Sequence, residues 1–352
     1  MKRVLVVVLG GTLAIASSAL AFHDAGVAHC NGCHTMHNSE DGMLVDGDSP
    51  NGNPWLLRDA TPSDVCLSCH AARHGAVFAT DPLVPNTEYG GGDFVFLTED
   101  NLNDGHGGAT NAIDGDAAGH NIDAPSRGVG ADGTLTSSPG GSFPASILGC
   151  TSCHDPHGNE NFRLLYGIGG VQDGQFTFTA AAPVADGIAN INGAGESFTN
   201  HTAYHSGMSA WCGNCHGDFH NNSTQLIHKS GMTMGATVAG IYNLYAGTNN
   251  QTGANPTNSY LPMVPFEDPG VTPVSTAGPS ASSMVSCVSC HRAHATSGPD
   301  MGRWDFNVTL FSEDGVESGA YAIPDPYGDP DNQRSMCNKC HNKDVDDHIP
   351  VP

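Results

Sequence analysis

All twelve cysteines of the 352-residue chain fall into six C-x-x-C pairs, and each pair is followed at once by histidine. The six are Cys30-Cys33-His34, Cys66-Cys69-His70, Cys150-Cys153-His154, Cys212-Cys215-His216, Cys287-Cys290-His291 and Cys337-Cys340-His341. Two thiols three positions apart can form thioethers with the two vinyl groups of one haem, and the next histidine then meets the iron as its proximal ligand. This is the haem c attachment pattern. Zinc clusters and disulfides also use C-x-x-C pairs, but neither requires a histidine after all six. With 19 histidines in 352 residues, chance placement at six specified positions is on the order of 10⁻⁸. The sequence therefore predicts six haem c groups held by twelve thioether cysteines and six proximal histidines, with no catalytic residue.

Thirteen histidines lie outside the motifs: His23, His29, His37, His74, His106, His120, His157, His201, His205, His220, His228, His294 and His348. Six suffice to close every iron with a second imidazole, so the supply favours closed electron-transfer haems over open catalytic ones. Ten methionines could supply a ligand of higher potential to one haem. Three motifs carry a further histidine three residues on, giving His34/His37, His154/His157 and His291/His294. Trans ligands approach an iron from opposite faces, whereas neighbours on one turn share a face, so His37, His157 and His294 are read as ligands of neighbouring haems. His23, His120 and one of His220 or His228 complete the distal candidates. His29, His74, His106, His201, His205 and His348 are expected at the solvent or a haem edge.

The elements that hold these residues should be meagre. Hydrophobic residues make up 38% of the chain and aromatics 7%, against 45 glycines and 22 prolines, so long helices and strands are disfavoured. Porphyrins would supply the missing apolar interior. The expected fold is mostly irregular coil, with short helices around the motifs and around Asp344 and a few small strands, organised around a stacked six-haem chain. Phe94-Val95-Phe96-Leu97 and Phe176-Thr177-Phe178 are β-prone and could form small hairpins. The Gly-, Asp- and Asn-rich stretches 90–141, 167–195 and 247–283 are expected to wrap the haems. Motif spacings are irregular, and no internal repeat beyond the motif itself is evident.

Lys2 and Arg3, the apolar run Val4–Ala16 and Ala19-Leu20-Ala21 read as a cleaved export signal over 1–21, leaving a single haem domain over 22–352. No later apolar stretch is long enough to span a bilayer. Net charge is −24, and −26 without Lys2 and Arg3, which disfavours nucleic acid and suits cations, basic partners or mineral surfaces. Asp41, Asp46 and Asp48 fit a solvated acidic loop better than a cation site.

Beyond the motifs, the chain resembles the OmcS-type hexahaem cytochromes, which polymerise into extracellular nanowires. The likeness runs through Phe22-His23, Gly26-Val27-Ala28, Cys30–Asn38 (CNGCHTMHN), Gly119-His120-Asn121-Ile122 and Cys150–Gly158 (CTSCHDPHG). It continues through Gly207-Met208, Trp211–His220 (WCGNCHGDFH), Cys287–Ala295 (CVSCHRAHA) and Cys337–His341. The resemblance implies a continuous haem chain in a mostly coil subunit. It also implies that His37 leaves its own subunit to bind the iron attached at Cys287 and Cys290 of a neighbour, opposite His291, so that the partner is a homopolymer. The expected function is extracellular electron transfer to oxides, electrodes or redox proteins, by a secreted or outer-surface filament and not by an enzyme. The rival readings are a monomeric periplasmic or surface carrier with the same haems, and a multihaem oxyanion reductase, which would need an open iron.

Overall fold

The computed structural model describes residues 29–71, 76–86, 90–99, 115–172, 176–188, 195–221, 230–314, 321–329 and 331–342, the last two residues of 195–221 by their backbone alone. The export segment, His23, His74, His106, His228, His348 and the helix expected around Asp344 lie outside them, as does the side chain of His220.

Each C-x-x-C-H motif forms a single turn. Among the described residues, four helices accompany them: α1 (Pro62–His70), α2 (Met208–Cys212), α3 (Gly217–Asn221) and α4 (Gly235–Leu244). Helix α1 contains its motif whole. It starts where the Thr61 hydroxyl accepts the Asp64 N–H, with Pro62 in the first turn where no N–H is needed. Helix α2 runs into the Cys212 motif, and the other four motifs are short 3₁₀ turns. The histidine N–H reaches back to the carbonyl of the first cysteine in His34, His154, His216, His291 and His341, at 2.8–3.0 Å. That closure puts both thiols and the imidazole on one side of the turn.

The strands among the described residues make four two-stranded antiparallel ribbons: β1 (Ser39–Glu40) with β2 (Met43–Leu44), β3 (Val171–Gln172) with β4 (Phe176–Thr177), β5 (Val184–Asp186) with β6 (Ala203–Ser206), and β7 (Met232–Thr233) with β8 (Met284–Val285). The β1–β2 turn is Asp41-Gly42, both at positive φ, the two-residue connection whose twist matches the strands. The acidic loop beyond it is closed by its own hydrogen bonds. Asp46 accepts from Asn53 and from the backbone of Asp48 and Ser49.

The architecture is therefore the mostly irregular one expected, with two exceptions. Phe94–Thr98 is a 3₁₀ turn rather than a strand, because the Asp93 carboxylate caps the Val95 N–H. Phe94, Val95, Phe96 and Leu97 are all buried, around Leu67, Phe78 and Ala118. A four-residue run buried on every side lacks the alternation of a half-exposed strand. A second cluster gathers α4 with Tyr260, Phe266, Trp304 and Phe311.

The second exception is a structural repeat invisible in the motif spacing. After the first, third and fifth motifs, the chain returns as a strap through two consecutive non-glycine residues in the left-handed region. These are Trp55-Leu56 (φ 51° and 58°), Arg163-Leu164 (52° and 58°) and Asp300-Met301 (54° and 59°). Each strap then pairs antiparallel with its motif, His34 with Leu57, His154 with Leu165 and His291 with Gly302. Left-handed geometry disfavours side-chain-bearing residues, so its recurrence at three equivalent places marks a common purpose.

Candidate haem sites

The straps orient three of the motif histidines, the proximal candidates. Nδ1 of His34 donates to the Trp55 carbonyl at 2.9 Å, Nδ1 of His154 to Arg163 at 2.7 Å and Nδ1 of His291 to Asp300 at 2.8 Å. In all three cases the acceptor is the first left-handed residue. His216 is held likewise by the Pro139 carbonyl at 2.7 Å. A carbonyl can only accept, so Nδ1 carries the proton and Nε2 keeps a free lone pair, the arrangement that fixes tautomer and ring orientation in metal-ligating histidines.

Two distal candidates face proximal rings. The centroids of His120 and His216 are 6.0 Å apart, and those of His154 and His294 are 6.5 Å apart. Two imidazoles bound at about 2 Å on either side of one iron have centroids about 6 Å apart. Both pairs therefore fit an iron between them. Burial lowers the pKa of His120 and of His154, and burial with the nearby His154 and His120 takes His294 down to about 3. The neutral imidazole is the ligating form.

The attachment sites follow one another in chain order. The Cys66 and Cys150 thiols touch, as do those of Cys212 and Cys287. Each of these junctions is braced alike: the Cys150 N–H donates to Ser63 Oγ at 3.3 Å and the Cys287 N–H to Ser209 Oγ at 3.2 Å. Both serines stand three residues before the first cysteine of the facing motif. Elsewhere the thiols sense one another through charge. Burial, then Cys69, raises the pKa of Cys33. Burial, then Cys215, pushes Cys153 up to about 12, and burial, then Cys337 and Cys340, does the same to Cys290. Each motif thus lies within electrostatic reach of the next.

The remaining histidines divide. His37 and His157 present exposed rings, and His29 is exposed as expected. His201 is not at the solvent or a haem edge: it is fully buried, stacked on Tyr260 at 3.8 Å, with its ring nitrogens against the Thr202 and Ser275 carbonyls. His205 is held between Asp186 and the Asp268 carbonyl. Both rings are committed to structural bonds. Lys339, inside the sixth motif, was not singled out by its sequence context. It is buried over the Tyr242 ring at 4.4 Å and donates to the Tyr245 carbonyl at 3.1 Å, and burial lowers its pKa to about 7. This tethers the sixth motif to α4.

Among the described residues no helix is long and apolar enough to cross a membrane. Residues 23–75 match the family model for a doubled CXXCH motif. The chain is 32% identical to C-type cytochrome OmcS of Geobacter sulfurreducens over 431 aligned residues, covering 98% of this chain and 99% of that protein. A solved structure of the outer membrane cytochrome S filament from the same organism superposes with a TM-score of 0.78 at 30% identity, over 92% of this chain and all of the other. A cryo-EM structure of the OmcS nanowires gives 0.74 at 29%, with the same coverage. With the expected six haem c groups and mostly irregular fold, the chain belongs to the OmcS family of c-type cytochromes.

Proposed function

We propose that this protein is the subunit of an extracellular electron-conducting filament. The observation that carries the reading is the pair of facing imidazoles spaced for an iron at the third and fourth of six attachment motifs, each motif within electrostatic reach of the next. When bound, each haem c supplies a one-electron iron couple. The protein's part is to hold, orient and close each site. Cys30, Cys33, Cys66, Cys69, Cys150, Cys153, Cys212, Cys215, Cys287, Cys290, Cys337 and Cys340 anchor the groups as thioethers. His34, His70, His154, His216, His291 and His341 are the proximal ligands, four of them oriented through Nδ1.

On the distal side, His294 closes the site of His154, and His120 that of His216. The repeat extends this assignment. His294 trails the fifth motif and faces the third, so a histidine trailing a strapped motif reaches two motifs back. By the same rule His157 closes the site of His34. His37 has no site two motifs back in its own chain, and the equivalent place is the site of His291 in a neighbouring subunit. The exposed rings of His37 and His157 suit those roles, and the filament state of the OmcS structures supports the second. His23, His220 and His228 remain for the second and sixth sites.

Residues 1–21 are removed on export, and the acidic mature surface meets oxides, electrodes or basic redox partners outside the cell. Cryo-electron microscopy of the native haem-loaded protein tests the whole reading. Filaments with His37 on a neighbour's iron are expected. Discrete monomers with His37 free would leave a soluble carrier as the better account.

A further inference from the structure

The ring of His294 is held by a segment that belongs to no motif. The His294 N–H donates to the Gly91 carbonyl at 2.6 Å, and the Asp93 N–H returns to the Ala295 carbonyl at 2.9 Å. Phe94 then lies flat on the His294 imidazole, with centroids 4.4 Å apart and planes 19° apart. The approach needs glycine. A Cβ on Gly91 would stand 2.9 Å from His294 Nδ1, and one on Gly92, whose φ is +79°, would be driven into the Ala295 carbonyl. The segment is itself fixed from behind. The buried Asp93 carboxylate accepts from the N–H groups of Ala79, Asn86 and Val95 at 2.7–3.0 Å, and the Phe94 N–H donates to the Val77 carbonyl at 2.8 Å.

The facing ring, His154, is turned independently by the Arg163 carbonyl. The two planes meet at 62°, against 32° for His120 and His216. Resting on the assignment of His294 to the iron of His154, we infer that Phe94, seated by Gly91 and Gly92, is a positioning residue that holds the third haem site with crossed axial imidazoles. Crossed planes leave the two iron orbitals that receive imidazole π-density nearly degenerate, whereas parallel planes split them. The ferric low-spin electron paramagnetic resonance of this one site therefore carries large g-anisotropy, and Phe94 sets it.

The test uses the native haem-loaded protein and its variants, each confirmed by mass to carry six haems. Spectra of the oxidised form are compared with carbon monoxide binding by the reduced form. Phe94→Leu, which removes the flat ring, is expected to shift one sixth of the low-spin signal away from the highly anisotropic envelope, and Phe94→Tyr to retain it. Phe94→Met serves the same purpose if the leucine variant does not load fully. An unchanged spectrum in a fully loaded Phe94→Leu or Phe94→Met protein overturns the inference. His294→Ala separates the two levels of the argument: opening one haem in six to carbon monoxide upholds the ligand assignment on which the inference stands, and six closed haems sink that assignment and the inference with it.

Discussion

His120 donates its backbone N–H to the carbonyl of His294 at 2.8 Å, while its ring Nδ1 donates to the Ala293 carbonyl next door at 2.7 Å. The distal candidates for the third and fourth sites thus come from two segments zipped together, with Thr296 N–H on the Ala118 carbonyl continuing the ladder. Segments 173 residues apart in sequence become one clip that carries both distal candidates.

The clip depends on Gly119. Any Cβ there would be driven into the His294 carbonyl and the Ala295 side chain, and backbone cannot yield as a flexible side chain can. Gly119→Ala is expected to pry the segments apart and open both sites. Carbon monoxide should bind two haems of six in the reduced variant, against one in His120→Ala. Binding to one haem or none in the glycine variant would show that the segments close their sites independently.

The straps make a stability prediction. Leu56 sits at φ 58°, so its backbone carries the left-handed cost of roughly 1–2 kcal/mol. Leu56→Asn, a residue at ease in that region, is expected to match or exceed the parent in thermal melting followed by haem absorbance. Leu56→Val, β-branched, should melt below the parent. Equal melting of the two variants would remove the strain from the account.

Much of this site was legible because thioether attachment is a local pattern, readable at each cysteine pair without knowledge of the fold. The strap was not, since Trp55-Leu56, Arg163-Leu164 and Met301 are not residues that advertise positive φ. The interval also misleads. His34 reaches its acceptor 21 residues on, whereas His154 and His291 reach theirs nine residues on, and the β1–β2 ribbon fills the longer loop. A signal was present in Asn53-Pro54-Trp55-Leu56-Leu57 and Asn161-Phe162-Arg163-Leu164-Leu165, where Asn-x-x-Leu-Leu recurs. His201 escaped for a different reason: its Ser275 partner is 74 residues away, a tertiary fact with no local trace.

The serine braces at the touching thiols should be energetically alike. Ser63 and Ser209 are buried and each accepts the N–H of the first cysteine of the next motif. Replacing either by alanine leaves a backbone donor without its acceptor, at a cost of about 1 kcal/mol. Denaturant melts of Ser63→Ala, Ser209→Ala and the double variant test this, with additive losses expected because the two junctions are separate. A brace whose removal costs nothing would be packing without a useful hydrogen bond.

Glu267 gives the pH dependence. It is buried, burial raises its pKa above the ordinary glutamate value, and its carboxylate accepts the Met208 N–H at 2.9 Å at the start of α2. Between the ordinary value and the raised one, the folded chain keeps a proton that the unfolded chain has released. Stability is therefore fullest below the ordinary glutamate range and declines as the pH rises through the raised folded value, beyond which the contribution is flat. Glu267→Gln should flatten that part of the profile in denaturant melts across the acid range. An identical slope in the variant would assign the pH dependence to other groups.

The largest effect should follow loss of the haems. The described chain buries its apolar side chains in modest clusters, while Met36, Met43, Leu44, Trp55 and Leu56 stand exposed around the first motif and strap. Ribbons of two to four residues cannot stand alone, and the left-handed straps act against the chain unless their carbonyls have an oriented imidazole to receive. Covalent haem at six points pins the loops at short intervals and supplies apolar area that the composition lacks. The chain produced without haem attachment is therefore expected to show no cooperative melting by circular dichroism and to be cut rapidly by protease. The haem-loaded protein should melt sharply and resist. A sharp transition in the haem-free chain would mean that the side-chain clusters alone specify the fold.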